Sequence, residues 1–271
     1  GEKYLHYQIQ MNSQVLARMS LEHRLERALP ERQFVLHYQP TISLATGRIE
    51  SAEALIRWND PATGMVPPGQ FIPLLESSGL IMEVGQWALR EAAAQLLKWR
   101  LMDLPPLRVA VNVSPVQLRR REFVPGVLEV LGRGTAQSVD LDLEITESML
   151  MGEIETTVHE LQRLRQVGVR IALDDFGTGY SWLSRLARLP IDILKIDRSF
   201  VSELTTDSSA AALAATVISL AHAFGMRATA EGVETEGQRV MLQSLGCDSA
   251  QGYLISRPLA AEDLERLLAA A

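Results

Sequence analysis

The sequence predicts an α/β fold: an irregular (β/α)8 TIM-like barrel whose first two strands run antiparallel. Three observations lead there. Eight short apolar runs with strand character alternate with stretches of helical periodicity, the signature of a largely parallel sheet that closes on itself. Only about eight residues, around SLATGR at 43–48, separate the first two runs, too few for a helical crossover. A polar residue also stands near the carboxyl end of every run, and in α/β barrels those ends share one mouth.

In chain order, Leu5, Ile9, Leu16, Leu21, Leu25 and Leu29 recur at roughly helical spacing, with Glu22, Arg24, Glu26 and Arg27 between them. Pro30 stops the pattern. Residues 1–20 are read as a helical lead-in or linker from an upstream domain, and 21–271 as one domain. The chain begins at Gly1, which reads as an excerpt of a longer protein. Strand runs follow at 34–40, 49–58, 107–114, 139–148, 169–176, 191–197, 226–232 and 249–256. Helical patterns fill 80–99, 155–168, 209–225 and 235–246, with Gly168, Gly225 and Gly246 where three of them must stop before the next strand.

At 271 residues and 47% hydrophobic, the chain can bury one large core. A net charge of −7 argues against DNA or RNA polymers as partners, which need a basic face, but leaves room for a small anionic ligand. The single Cys247 cannot form an internal disulfide and reads as a small buried apolar side chain, which fits a reducing cytoplasm. No secretory signal is visible, and the longest apolar stretch, AALAATVISLAHAF, is too short to cross a bilayer.

The polar residues at the strand ends are Gln39, Glu53 with Arg57, Asn112, Glu144 with Glu147, Asp174 with Asp175, Lys195 with Asp197, Glu231 with Glu234, and Gln251. Strand alternation puts Glu53, Leu55 and Arg57 on one face, and Lys195 with Asp197 on another. Each has a bland reading: Glu53 as a surface residue, Arg57 as an ion-pair partner, Lys195 as a barrel-bottom salt bridge. Packing explains the joint pattern less well, because carboxylates converging on one mouth repel unless cations neutralise them. Carboxylates plus the Asn112 amide are hard oxygen donors suited to Mg2+ or Mn2+. Two ions about 3.5–4 Å apart, bridged by a carboxylate, would suit phosphoester hydrolysis.

No Cys or His cluster offers a zinc site. His37 lies on a strand, His222 on an apolar helix, and His6, His23 and His159 in amphipathic stretches. The segment LDDFGTGYSWL pairs Asp174 with Asp175, whose side chains would point to opposite faces on a regular strand. Gly177 and Gly179 would let the chain turn off the strand; they lack the remainder of a P-loop or dinucleotide fingerprint.

YQP, EALIRW, FIPLLESSGLI, NVS, EITES, DDFGTGYSWLSRL, LKIDRSF, AEGVET and QGYLISRP occur in this order. In this combination the chain resembles, over roughly residues 21–269, the EAL domain, a family of cyclic di-GMP-specific phosphodiesterases of bacterial signalling. The resemblance implies a two-metal hydrolysis of cyclic di-GMP to linear pGpG. It implies that Glu53, Asn112, Glu144 and Asp174 hold one ion and that Asp174 bridges to a second held by Asp175, with Glu231 close by. Lys195 matches the lysine near the attacking water, and Glu147 the glutamate that anchors the loop after Asp175. Catalytic roles are therefore expected of Glu231, Lys195 and Glu147.

Gln39, Leu55, Arg57, Gln251 and Pro258 match positions that contact the dinucleotide, with Arg57 reaching a phosphate. Asp197 and Glu234 are grouped with these. Ca2+ is expected to inhibit, since its looser coordination misplaces the water. A homodimer and an upstream regulatory domain are the implied partners. Three departures stand out: Trp182 where a second Ser is common, Ile255 where an aromatic is frequent, and Ser77 in place of Glu. Trp182 would alter the loop or a partner surface, and Ile255 would weaken stacking on a guanine. Two alternatives remain open, a cyclic di-GMP receptor without turnover and a Schiff-base aldolase using Lys195. Asp197 and the surrounding carboxylates disfavour the aldolase, because they hold that lysine charged.

Overall fold

The computed structural model describes residues 18–133, 140–147, 149, 154–176, 186 and 188–270; the side chains of residues 133, 154–156 and 175 fall outside the description. Two compact units divide the chain: Gly1–Val35 with Ile56–Val84, and Leu36–Leu55 with Gly85–Ala271.

The larger unit carries all of the barrel strands but residues 34–35 of the first and 56–60 of the second. Strands β1 (Phe34–Ser43), β2 (Ile49–Asp60), β4 (Arg108–Asn112), β5 (Leu141–Thr146), β6 (Arg170–Phe176), β7 (Ile193–Ile196), β8 (Arg227–Ala230) and β9 (Ser249–Gln251) form a closed ring. Neighbours from β2 through β4 to β9 pair in parallel, β1 runs antiparallel to β9 with Thr41 opposite Gln251, and β1–β2 pairing closes the ring. The predicted antiparallel start is thus observed. Ser43 N–H bonds the Arg48 carbonyl (2.9 Å), so the short SLATGR link folds as a hairpin.

Side-chain alternation sorts each strand. Outward-facing Leu143, Ile145, Ile171, Leu173, Leu194 and Ile196 are buried, while the helices Ile154–Gln166 and Ser208–Ala223 contact β6 and β7–β8 respectively. Inward positions are polar or small, running Arg108, Ala110, Asn112 on β4 and Arg170, Ala172, Asp174 on β6. Near the amino ends the buried Asp142 carboxylate accepts from Arg108 Nη2 and Arg170 Nη2, each at 2.6 Å. Glu144, two residues on, points into the same interior at the opposite end.

In the smaller unit, Phe34, Trp58 and Phe71 form an aromatic core with ring centroids 5.9–6.3 Å apart, and Trp58 Nε1 donates to Gln33 Oε1 (2.9 Å). A short strand, β3 (Gly64–Val66), extends β2 as a hairpin that the sequence reading did not anticipate. That reading also passed over the helix Ala261–Ala269, which buries Leu264 and Leu268 four residues apart. Strand runs 226–232 and 249–256 are shorter than expected, ending at Ala230 and Gln251, because the chain turns at Gly232 (φ 68°) and again past Gly252. No helix of the described residues is long and apolar enough to cross a membrane.

Candidate active site

Inward alternation at the carboxyl ends brings side chains from successive strands together. Lys195 on β7 is 2% exposed, and its Nζ stands 2.5 Å from both Glu144 Oε2 and Glu231 Oε1. Asp174 Oδ1 lies 3.6 Å and Glu53 Oε2 3.8 Å from the same ammonium. Glu53 is held on both oxygens: Asn112 Nδ2 donates to Oε1 (2.6 Å) and Gln251 Nε2 to Oε2 (2.7 Å). Gln251 Nε2 also reaches Gln39 Oε1 (3.2 Å), and Gln39 Nε2 donates to the Ser256 carbonyl (3.1 Å).

Four carboxylates against one ammonium leave three negative charges uncompensated if all ionise. Burial, reinforced by the Glu53 charge, pushes Glu144 well above the usual carboxylate range. Glu231 is pushed up to about 7, burial outweighing the pull of Lys195. Glu53 goes the other way despite its burial, because Lys195 and the two amide donors favour its charged form. Lys195 stays firmly protonated: burial opposes its charge, but the carboxylates, Glu144 foremost, overcome it.

The sequence-predicted residues fall into distinct positions. Glu53, Asn112, Glu144, Asp174, Lys195, Glu231, Gln39 and Gln251 come together as described. Leu55 and Glu234 line a cleft of about 310 Å3 that opens beside Glu53 and Glu231. Glu147 is buried just after β5. Asp197 caps the helix Arg198–Ser202, accepting from Ser199 N–H (3.0 Å) and Oγ (2.5 Å), so much of its hydrogen-bonding capacity is used locally. Pro258 sits between Arg257 and Leu259, whose backbone bridges Tyr38 (2.7 and 2.8 Å). Arg57 belongs to the smaller unit, where its Nη1 donates to the Ile56 carbonyl (3.0 Å). The Asp175 side chain, Gly177, Gly179 and Trp182 lie outside the described residues.

Sequence reasoning missed six cleft residues: Arg198, Ser202, Gly232, Gln238, Gly252 and Tyr253. Gln238 had a readable signal, the T-x-x-Q of a capping box. Its Oε1 accepts from Glu234 and Thr235 N–H (2.8 and 2.9 Å) while Nε2 donates to the Val201 carbonyl (3.1 Å), tying the loop after β8 to the helix after β7. That loop is also zipped to the segment after β9. Val233 N–H bonds the Gln251 carbonyl and Leu254 N–H the Val233 carbonyl, each at 3.0 Å. Gly252 permits this approach, since a Cβ there would meet Val233 O at 2.1 Å.

Glu53, Asn112, Glu144 and Asp174 form an all-oxygen donor set suited to a hard divalent cation, and the excess negative charge fits one. Among the described residues, no three acidic, histidine or cysteine side chains already stand in metal-ligand geometry; the carboxylates converge on Lys195 instead.

The family model described as the EAL domain matches residues 22–258. The chain belongs to the EAL domain family. This EAL domain is 42% identical over 261 residues to the bifunctional diguanylate cyclase/cyclic di-GMP phosphodiesterase MucR of Pseudomonas aeruginosa, covering 96% of the chain and 38% of the relative. It is 41% identical over 252 residues to the cyclic di-GMP phosphodiesterase NbdA of the same organism, covering 93% of the chain and 32% of that relative. The chain thus spans less than two fifths of either relative. A solved structure of PaMucR phosphodiesterase in complex with c-di-GMP superposes with a TM-score of 0.86 at 43% identity, covering 90% of this chain and 99% of that one. The EAL enzyme Bd1971, bound to cAMP and cyclic-di-GMP, gives 0.87 at 32% identity, with 97% and 72% covered.

Proposed function

We propose that this EAL domain is a divalent-metal-dependent phosphodiesterase that opens cyclic di-GMP to linear pGpG. The observation that carries the reading is the convergence of Glu53, Glu144, Asp174 and Glu231 on one buried ammonium, beside a cleft that could admit a dinucleotide. The names of the relatives support the substrate. Glu53, Asn112, Glu144 and Asp174 would hold one Mg2+ or Mn2+, and Asp174 with Asp175 and Glu231 a second. Bound ions would supply water activation and charge compensation for the phosphoryl oxygens.

The protein's own groups do the rest. Lys195, kept charged by its neighbours, steadies the negative charge that grows on the phosphate during attack. Glu231 Oε1, within reach of Lys195 and on the cleft wall, is placed to take the proton of the attacking water. Gln39, Leu55, Glu234 and Gln251 line the cleft, Leu55 with an apolar surface and Glu234 with an acceptor, and Arg57, Asp197 and Pro258 are proposed as substrate contacts on the family resemblance. Glu147 is proposed, on the family resemblance, to anchor the loop after Asp175. A homodimer, an upstream regulatory domain and a cytoplasmic setting complete the proposal.

The test is product analysis after incubating the protein with cyclic di-GMP. Linear pGpG is expected with Mg2+ or Mn2+, none with chelator, and inhibition by Ca2+. Asp175→Asn should abolish turnover, and substantial residual hydrolysis with Mg2+ would sink the two-metal scheme. Tight binding with intact cyclic di-GMP recovered would favour a receptor instead.

A further inference from the structure

We infer that Arg198 and Tyr253 form a distal subsite, gripping the half of the cyclic dinucleotide that lies away from Lys195. The inference rests on the phosphodiesterase reading and goes beyond it to binding residues outside the acidic cluster. A cyclic dinucleotide carries two phosphodiesters and two purines. While one phosphate stands at the acidic cluster, the other must lie elsewhere in the cleft, among walls that include Glu53, Glu231 and Glu234. Among the described residues lining that cleft, Arg198 is the one cation. No described group engages its guanidinium, so it is available to an anionic ligand. Its stem is held in place: a Cβ on Gly232, the residue after Glu231, would come within 2.6 Å of Arg198 Cβ.

Tyr253 supplies the complementary element. It lines the same cleft and is 52% exposed. The Arg257 guanidinium lies 4.2 Å from the ring centroid. That cation–π contact holds the ring in one orientation, which lowers the ordering cost of stacking a purine on it.

The test compares two substrates on the same protein with Mn2+: cyclic di-GMP and bis(4-nitrophenyl) phosphate, a phosphodiester with no purine and no second phosphate. Arg198→Ala and Tyr253→Ala are each expected to lower kcat/KM for cyclic di-GMP, relative to that for bis(4-nitrophenyl) phosphate, at least fivefold, mainly through KM. Tyr253→Phe, which keeps the stacking ring, should fall by less than that. A folding defect cancels from the ratio because both substrates meet the same sample. A change below fivefold in either alanine variant, or an equal loss in Tyr253→Phe, overturns the subsite. A wild-type protein that leaves cyclic di-GMP intact overturns the phosphodiesterase reading itself, and the subsite with it.

Discussion

Lys195 on β7 donates across 2.5 Å to Glu231 just past the end of β8, and this ion pair sits at the centre of the acidic mouth. Every other carboxylate of the cluster is arranged around the same ammonium. Lys195→Met removes that charge while keeping the volume of the stem. Breaking a buried ion pair in this way costs about 3–5 kcal/mol. The metal-free variant should therefore melt roughly 6–20 °C below wild type, at about 2–4 °C per kcal/mol for a domain of this size. Added Mg2+ should restore part of the loss; equal melting of wild type and variant in chelator would reject the central role of Lys195.

Glu231 gives the metal-free protein a pH dependence of definite sign. Its pKa rises from 4.5 to about 7 on folding, so between those values the folded state holds a proton that the unfolded chain gives up. Stability should fall as pH rises through that window, by roughly 1–3 kcal/mol from this group. Urea midpoints at pH 5 and 7.5 in chelator check it: the decline should be smaller in Glu231→Gln, and an equal decline would contradict the assignment.

Gly252→Ala should loosen the seam between the loops after β8 and β9. The new Cβ meets backbone, Val233 O at 2.1 Å and Val233 N at 2.2 Å, so no side chain can swing aside. Overpacking of this kind costs about 1–3 kcal/mol. A lower melting point and a raised KM for cyclic di-GMP are expected, since Glu231, Glu234 and Gln251 shift with the seam.

Asp142→Ala should destabilise the amino end of the barrel without touching the mouth. It leaves the Arg108 and Arg170 side chains, 21% and 30% exposed, without the carboxylate they share. We expect a loss of about 3 kcal/mol by chemical denaturation. The KM for cyclic di-GMP measured below the melting transition should stay within twofold.

Cys247 should resist thiol reagents in the folded protein. It is 5% exposed, and burial pushes its pKa up to about 12, so almost no thiolate exists near neutral pH. Ellman's reagent should label one thiol in denaturant and none on the same timescale without it.

Much of the site was legible because strands impose a period of two. That period put Glu53 and Leu55 on one face, position at a strand's carboxyl end marked Asn112, Glu144, Asp174 and Lys195, and the short link at 43–48 foretold the antiparallel start. Arg198, Ser202 and Tyr253 were not legible, because the first two lie on a helix of five residues, too short to show a helical period, and Tyr253 lies in the turn after β9. Asp197 shows the same limit: counted with Lys195 as a face-sharing pair, it lies one residue past β7 and caps a helix instead.

The sequence by itself determined the ring of strands, their directions and which polar residues stand at the strand ends, since these follow from the alternation of strand and helix runs and from link length. Only the tertiary structure decided that Lys195 meets Glu144 and Glu231 at 2.5 Å while Asp174 and Glu53 stand farther off. Those distances depend on the stagger of the closed barrel, which joins residues far apart in the chain and leaves no mark in its periodicity.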